Sequence, residues 1–188
     1  MAVLDEHPEI GIVGPRLELR DGTFDHASRR SFPTPLGALG HFAGLSGLRR
    51  APNALAQYRA PEVDCGPVDS VNGAFMLIRR RMLDEIGLFD EGYWMYMEDF
   101  DLSYRVQEAG WVTWYEPDVT VTHTKHGATG EVRSPRLTYH FHYGMFRFYR
   151  RHYASSRART LNLAVYVGIG AKLFAALARA SMKPMVVR

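Results

Sequence analysis

The chain has 188 residues, which is enough for one domain with a substantial hydrophobic core. Its apolar fraction of 46% and aromatic fraction of 12% are typical of a folded globular protein and exclude a disordered chain. The single cysteine, Cys65, excludes an internal disulfide and a cysteine-based zinc site.

The net charge of +3 conceals two segments of opposite sign. Residues 1–131 contain every acidic residue and carry a net charge of −8, whereas residues 132–188 carry +11. A basic segment of this size predicts an anionic partner, either nucleic acid or an anionic membrane surface. Because no nucleic-acid-reading motif accompanies the charge, we expect the membrane surface and no nucleic acid.

Short strands dominate the first third of the predicted fold. Residues 10–15 predict a buried strand that ends in turn residues, and residues 17–24 predict a second strand with a turn at Asp21-Gly22. Residues 31–61 are rich in Gly, Pro and Ala and are expected to be mostly irregular. Residues 68–78 predict a strand interrupted by Asn72-Gly73, where the glycine indicates a bulge, a close backbone approach or a simple steric need. A short helix over 79–86 is expected to end at Gly87.

Three carboxylates, Glu98, Asp99 and Asp101, stand where a loop is expected to enter a helix of residues 98–110. One interpretation is structural, because a helix N-terminus favours negative charge and Asp101 can pair with Arg105 one turn later. Glu98 and Asp99 follow bulky aromatic residues, so we expect at least one of them to face a cleft. A carboxylate there could act as a general base, a metal ligand or a clamp on a polar ligand.

Two further strands, over 111–116 and 119–123, follow this helix, and the second places Val119, Val121 and His123 on one face. Strands that alternate with helices predict an α/β layered fold. The basic segment then predicts two helices. The first is capped by Ser134-Pro135 and runs to about Tyr153 with aromatic residues on all sides.

The second basic helix, over 160–180, is expected to be too short in its uncharged run to span a membrane. An interfacial helix with its cations on the polar face and a helix docked on its own domain or on a partner subunit remain equal alternatives. Its predicted apolar stripe consists of Leu163, Tyr166, Val167, Gly170, Leu173, Phe174 and Leu177.

An ordered set of short motifs then identifies a family resemblance over roughly residues 10–129. The motifs are Asn72-Gly73-Ala74-Phe75, Gly87-Leu88-Phe89-Asp90-Glu91, Tyr96-Met97-Glu98-Asp99-Phe100-Asp101-Leu102, Ala109-Gly110-Trp111, Tyr115-Glu116-Pro117 and Val121-Thr122-His123. In order and spacing they resemble the second half of family 2 glycosyltransferases, and the rhamnosyltransferase-like members are most similar.

The resemblance implies a partial GT-A (Rossmann-like) sheet flanked by helices, without the N-terminal nucleotide-binding half and its Asp-x-Asp metal motif. Residues 1–131 would be the C-terminal, acceptor-binding and catalytic half of the domain. Residues 132–188 would form a basic, aromatic helical tail at the membrane surface.

The resemblance also implies roles for single residues. Asp99 would be the catalytic base in an open, sugar-sized cleft, and Glu98 would support it or position the acceptor. His123 would face Asp99 as a ligand of Mn²⁺ or Mg²⁺. Asn72, Gly73, Ala74 and Asp101 would lie at the substrates. Two aromatic residues, Trp94 and Tyr96, would either stack on a sugar or pack in the core, and His123 taken alone would be structural.

The implied activity is transfer of a sugar, with rhamnose favoured, from a nucleotide-diphosphate donor to a polysaccharide or polyprenyl-linked acceptor with inversion. The implied location is the cytoplasmic face of the cell membrane, as a peripheral protein, and an oligomer is compatible with the sequence. The alternative is a truncated, non-catalytic remnant that binds an acceptor, a membrane or a partner chain.

Overall fold

The computed structural model describes residues 2–33, 63–124 and 134–182. These residues form two compact units. The first contains residues 2–33, 63–92 and 98–124, and the second contains residues 93–97 and 134–182. Most of the segment predicted to be irregular, 31–61, lies outside the described residues.

A four-stranded mixed sheet is the centre of the first unit. Strand β1 (Ile10–Glu18) pairs in parallel with β6 (Val112–Thr122) and antiparallel with β5 (Leu77–Ile78). Strand β3 (Gly66–Pro67) pairs antiparallel with the other side of β6, which gives the order β3-β6-β1-β5. The shorter strands β2 (Arg29–Arg30) and β4 (Ser70–Val71) form a separate antiparallel pair.

Three helices accompany these strands: α1 (Ala2–Glu6), α2 (Arg80–Ile86) and α3 (Glu98–Glu108). As predicted, α2 ends at Gly87, whose positive φ of 83° suits a residue without a side chain. Helix α3 begins at the acidic motif, as the sequence predicted, and is followed by Gly110 with a φ of 83°.

Strand β1 is buried on both faces, which explains its continuous apolar sequence. Ile12 packs with residues of α2, α3 and β6, whereas Ile10 and Val13 pack with Leu4 of α1 on the opposite face. The first of these clusters is the main core of the described chain, and it contains Ile12, Val68, Val71, Met82, Leu102, Val106, Trp111 and Tyr115. Helix α3 therefore buries Leu102 and Val106 and leaves its N-terminal acids at the end of the core.

The structure corrects the strands predicted over 10–15, 17–24 and 111–123. Strand β1 does not end at Gly14-Pro15 but continues to Glu18, because β6 pairs with it as far as Glu18 after a register shift at Pro15. The second predicted strand is therefore not separate: Leu17 and Glu18 belong to β1, and Phe24 forms only an isolated bridge with Glu18. The two strands predicted over 111–123 are one strand, β6, with its irregularity between Glu116 and Thr120.

The strand predicted over 68–78 is divided between two sheets. Asn72 ends β4 because its side-chain Oδ1 accepts a hydrogen bond from the Ala74 amide at 2.8 Å, and its carbonyl accepts one from Phe75 at 3.2 Å. An Asn side chain that bonds its own backbone two residues later forms a turn instead of a ladder. The chain therefore bends at Asn72-Gly73 and resumes extended structure only at Leu77.

The second unit contains an antiparallel pair of helices, α4 (Pro135–His152) and α5 (Arg159–Met182), which we call the α4–α5 hairpin. As predicted, Ser134 caps α4, because its Oγ accepts a hydrogen bond from the Leu137 amide at 3.2 Å, and Pro135 occupies the first turn. Tyr149 of α4 packs with Val165 and Ile169 of α5.

Helix α5 differs from its prediction in two ways. Its segment Arg159–Ala180 is long and apolar enough to cross a membrane, with a mean hydropathy of 1.7, so the expectation that it is too short was wrong. The predicted stripe is also not its buried face. Val165 and Ile169 are buried, whereas Leu163, Val167 and Phe174 are 63%, 61% and 76% exposed.

The fold is thus a mixed α/β arrangement of a four-stranded sheet with flanking helices, followed by a C-terminal helical segment, as expected for part of a GT-A fold. The predicted division after residue 131 stays a prediction. In the described chain, Tyr93–Met97 is grouped with the C-terminal helices.

Candidate active site

The turn at Asn72-Gly73-Ala74 meets the start of α3 at Asp99. The Gly73 amide donates a hydrogen bond to Asp99 Oδ2 at 3.0 Å. A side chain at Gly73 would place its Cβ 3.3 Å from the Cβ of Asp99, which is tighter than most contacts in proteins. The glycine in this predicted strand therefore marks a close approach of backbone to side chain.

Asp99 is buried and ion-paired, whereas we expected it to line an open cleft. The residue is 7% exposed, and its Oδ2 lies 2.5 Å from Arg30 Nη2. Its Oδ1 accepts a hydrogen bond from the Phe100 amide at 2.8 Å. The guanidinium of Arg30 also donates to the Val71 carbonyl at 2.8 Å and lies over the Phe100 ring at 4.1 Å. Arg30 is thereby fixed between strand β4 and helix α3, and Asp99 is fixed with it.

Glu98 differs from Asp99 in the hydrogen bonding of its carboxyl oxygens. Within the described residues, Oε2 of Glu98 has no hydrogen-bond partner. Burial raises the pKa of Glu98 above its ordinary value, and the nearby charge of Asp99 raises that pKa further, while Arg30 partly opposes both. A carboxyl group with a raised pKa beside a second carboxyl group is an arrangement typical of catalytic acids and bases, although ion-pair networks produce it as well.

Asp101 occupies a position that suits the structural interpretation of the acidic motif. Its side chain is completely buried, and its Oδ2 lies 2.9 Å from Arg105 Nε in the i, i+4 pair that the sequence predicted. Arg105 also donates to the carbonyls of Ile86 and Leu88 at 2.9 and 2.8 Å. Asp101 therefore helps Arg105 to join α3 to the end of α2, and its role at a substrate stays a prediction.

His123 stands at the end of β6 and is paired with an aspartate that the sequence did not single out. Its Nδ1 lies 2.9 Å from Oδ2 of Asp25, which is 1% exposed. The His123 amide donates to the Glu18 carbonyl at 2.7 Å. Because His123 follows β6 and Asp25 follows β1, the pair lies beyond the carboxyl ends of these two parallel strands. The other histidine of this segment, His126, lies outside the described residues.

The donor set around His123 does not by itself fit a divalent cation. Across residues 2–33, 63–124 and 134–182, no three side chains of His, Cys, Asp or Glu converge on one point. The pair of His123 and Asp25 supplies two suitable ligand types, one imidazole and one carboxylate, and Mn²⁺ or Mg²⁺ requires more oxygen donors. In the described contacts, His123 is joined to Asp25 and not to Asp99.

The predicted sugar-stacking residues, Trp94 and Tyr96, belong to the second unit. Trp94 is 49% exposed and lies under the guanidinium of Arg136 at 4.4 Å. Tyr96 packs edge-on against Phe141 of α4, with ring centroids 5.7 Å apart. Trp94 is thus half exposed and Tyr96 is partly buried against α4, and a role for either in sugar stacking stays a prediction.

The backbone before α3 is held in an unusual conformation. Tyr96 and Met97 have φ values of 71° and 70°, in the left-handed region that residues with side chains seldom occupy. A Cβ at Gly144 of α4 would lie 3.0 Å from the Tyr96 carbonyl oxygen, so only glycine lets the helix approach this segment. Strained residues of this kind cluster at functional sites and persist where packing holds them in place.

Sequence reasoning missed Arg30 and Asp25, the partners of the two principal candidates. Arg30 is 69 residues away from Asp99 and Asp25 is 98 residues away from His123, so neither pair produces a periodic pattern. The sequence around Arg30 and Asp25 gave only a weak indication of their roles. Arg30 stands in a short run of polar residues before Phe32, and Asp25 follows the turn after β1.

Comparison with known proteins gives a consistent family. A family model described as glycosyltransferase-like family 2 matches residues 3–138. The N-acetylglucosaminyl-diphospho-decaprenol L-rhamnosyltransferase of Mycobacterium tuberculosis is 33% identical over 134 residues, which cover 71% of this chain and 43% of that protein. The rhamnosyltransferase WbbL of Escherichia coli is 34% identical over 84 residues, or 45% of this chain and 31% of the relative.

A third relative, the low-salt glycan biosynthesis hexosyltransferase Agl10 of Haloferax volcanii, is 30% identical over 96 residues, which cover 51% of this chain and 27% of that protein. The chain therefore spans less than half the length of these relatives. The family match covers well over half of the chain and includes the acidic motif, the Asn72-Gly73 turn and His123. The chain accordingly belongs to the glycosyltransferase-like family 2.

Proposed function

We propose that this chain carries the acceptor-binding and catalytic half of an inverting glycosyltransferase. The reaction is transfer of a sugar, rhamnose in the first instance, from a nucleotide-diphosphate sugar to a polysaccharide or lipid-linked acceptor. Two relatives named as rhamnosyltransferases support the sugar, and one of them is named for a diphospho-decaprenol acceptor.

One observation carries the proposal: two adjacent carboxylates, Glu98 and Asp99, begin α3 in different electrostatic environments beside an exposed glycine turn. Formation of a glycosidic bond requires removal of the proton from the acceptor hydroxyl as its oxygen attacks the anomeric carbon. Asp99 is assigned this base, since Arg30 compensates its charge and its Oδ1 keeps a lone pair beyond the one used by the Phe100 amide.

The remaining residues are assigned to positioning. Glu98 supports Asp99, and the turn Asn72-Gly73-Ala74 presents backbone groups to the substrates, because Gly73 and Ala74 are exposed while Asp99 behind them is buried. Trp94 is assigned to stacking on a sugar ring because its side chain is 49% exposed.

The test is transfer from a nucleotide-diphosphate rhamnose to an N-acetylglucosaminyl-diphospho-decaprenol acceptor, measured by product formation with the purified chain. We expect Asp99→Asn to lower turnover by about 100-fold or more, the usual contribution of a positioned base, while donor binding changes little. Asp84→Asn, at an exposed position of helix α2, is the matched control. Turnover of the Asp99→Asn protein within a few-fold of the parent would remove the base assignment.

A divalent cation, Mn²⁺ or Mg²⁺, is the proposed cofactor by family resemblance. When bound, it would neutralise charge on the departing nucleoside diphosphate. His123 would supply one ligand and its partner Asp25 a second, and the others would have to come from outside the described residues. We expect His123→Ala to raise the Mn²⁺ concentration needed for half-maximal binding in a direct titration, and His7→Ala, at an exposed position, to leave it unchanged. Equal Mn²⁺ titrations for the two variants would remove His123 from the cation shell.

The proposed location is the cytoplasmic face of the cell membrane. Residues 132–188 contain 11 Lys and Arg residues and no acid, and α5 exposes large apolar side chains. Flotation with liposomes tests this, with phosphatidylglycerol vesicles expected to recruit the chain and phosphatidylcholine vesicles to recruit it weakly. Recruitment that is indifferent to lipid charge would contradict an electrostatic contribution.

The burial of Asp99 favours one alternative, a non-catalytic chain that binds acceptor, membrane or a partner. A carboxylate held by Arg30 and Gly73 does not need to perform chemistry to be explained. Calorimetric titration with a nucleoside diphosphate and Mn²⁺ separates the two functions. Saturable binding favours the transferase, and absence of binding together with absence of turnover favours the alternative.

A further inference from the structure

A groove with apolar walls runs between the two helices of the α4–α5 hairpin. Its volume is about 240 Å³. The side chains that line it come from one stripe of each helix, and they are Tyr139, His142, Tyr143, Phe146, Tyr166, Ile169, Gly170 and Leu173. His142 is buried and donates its Nδ1 proton to the Thr138 carbonyl at 2.8 Å, so its polar edge is turned into its own helix.

Glycine at position 170 keeps the groove open on the α5 side. A Cβ built there meets no atom within 4 Å, which means that a larger side chain would enter open space. On the α4 side, the rings of Tyr139 and Tyr143 stack with centroids 6.0 Å apart and are 48% and 36% exposed. The walls thus present an exposed aromatic strip facing a position without a side chain.

Two exposed arginines stand beyond one end of this groove, and at the other end Arg136 lies over the Trp94 ring. Helical periodicity places Arg150 one turn beyond Phe146 on α4 and Arg159 two turns before Tyr166 on α5, and both arginines are exposed. Because the helices are antiparallel, both positions lie at the same end of the hairpin. Tyr149 and Asn162, joined by a hydrogen bond of 2.7 Å, separate the apolar groove from this end.

An apolar groove followed at one end by a polar pair, Tyr149 and Asn162, and then by two arginines matches an amphiphile with a hydrocarbon chain and an anionic head. We propose that the groove binds the first isoprene units of a polyprenyl-diphosphate acceptor, those next to its head group, with Arg150 and Arg159 facing the diphosphate. This inference rests on the proposed function for the choice of a polyprenyl chain. It adds a lipid-binding site to that function, in the second unit and outside the acidic motif. Arginine suits the head group because its planar donors match phosphate oxygens.

Photo-crosslinking of the full chain with a diazirine-bearing geranylgeranyl diphosphate tests the site without requiring turnover. We expect labels in α4 and α5 that unlabelled geranylgeranyl diphosphate displaces more strongly than geranylgeraniol or phosphatidylglycerol does. Gly170→Leu fills the groove and should weaken labelling by about tenfold, as expected for the loss of roughly two buried methylene groups. Ala164→Leu, at an exposed position of α5, is the matched control.

Arg150→Gln combined with Arg159→Gln should abolish the preference for diphosphate over alcohol and leave labelling by the chain in place. Labels elsewhere, equal displacement by phosphatidylglycerol, or equal labelling of the Gly170→Leu and Ala164→Leu proteins would overturn the proposal. Failure of sugar transfer in the parent chain with the expected labelling intact would overturn only the proposed transferase, so the two failures are distinguishable.

Discussion

Arg30 and Asp99 are 69 residues apart in the chain and form an ion pair with 2.5 Å between Nη2 and Oδ2. Their side chains are only 20% and 10% exposed. The pair therefore joins strand β2 to the first turn of α3 in a poorly solvated position, where the loss of one partner costs more than the pair contributes to stability.

We predict that Arg30→Met destabilises the fold by about 3 kcal/mol, because it leaves a buried carboxylate without its guanidinium. Asp99→Asn should lower the free energy of unfolding by less than Arg30→Met does. The double variant should be more stable than Arg30→Met alone. Urea unfolding of the four proteins, followed by circular dichroism, measures the cycle. If the loss of stability in the double variant equals the sum of the losses in the two single variants, the two side chains are not energetically coupled.

The raised pKa of Glu98 leads to a prediction about how the stability of the chain depends on pH. Its pKa is raised in the folded chain, chiefly by burial, so folding favours its protonated form. The associated stability is complete below the unfolded pKa of about 4.3 and is lost as the pH rises through the folded pKa. Glu98→Gln should therefore match the parent in urea midpoint near pH 4 and exceed it near pH 8.

Glu91→Gln, at an exposed position, is the control for this pH experiment. Its difference from the parent protein should be the same at both pH values. A Glu98→Gln protein that is less stable than the parent at pH 8 would show that the ionised carboxylate is favourably bound in the folded chain.

The sequence predicted elements best where local chemistry determined them. The cap at Ser134, the end of α2 at Gly87 and the start of α3 depend on residues within one turn of the boundary, and all three were correct. Strand boundaries failed at Pro15 and at Glu116-Pro117 because pairing between β1 and β6, far apart in sequence, outweighs the local turn signal.

The candidate site was predictable only in part for the same reason. The acidic motif, the Asn72-Gly73 turn and His123 are visible as short motifs. Their partners Arg30 and Asp25 are brought to them by the tertiary fold. The buried state of Asp99 is a consequence of Arg30 and could not be inferred from the residues around position 99.

Two glycines of β1 provide a matched pair for a packing prediction. A Cβ at Gly14 would lie 2.4 Å from the Cβ of Val71, whereas one at Gly11 would lie 3.0 Å from the flexible Met82 Cγ. We predict that Gly14→Ala destabilises the fold by about 3 kcal/mol or more, since overpacking against a fully buried residue forces the strands apart. Gly11→Ala should cost clearly less. Similar urea midpoints for the two variants would contradict this view of the contact between β1 and Val71.

Asp101 and Arg105 decide between the structural and substrate-binding interpretations of the acidic motif. Arg105 holds the completely buried Asp101 carboxylate and the carbonyls of Ile86 and Leu88. We therefore predict that Arg105→Met costs about 3 kcal/mol of stability, because it removes the guanidinium from a buried charge. Asp101→Asn, which keeps a hydrogen-bonding oxygen, should cost less than Arg105→Met. If Asp101 instead contacts substrate, Asp101→Asn would raise KM in the transfer assay while its urea midpoint stays that of the parent. A lowered midpoint with unchanged KM would assign Asp101 to joining α3 to α2.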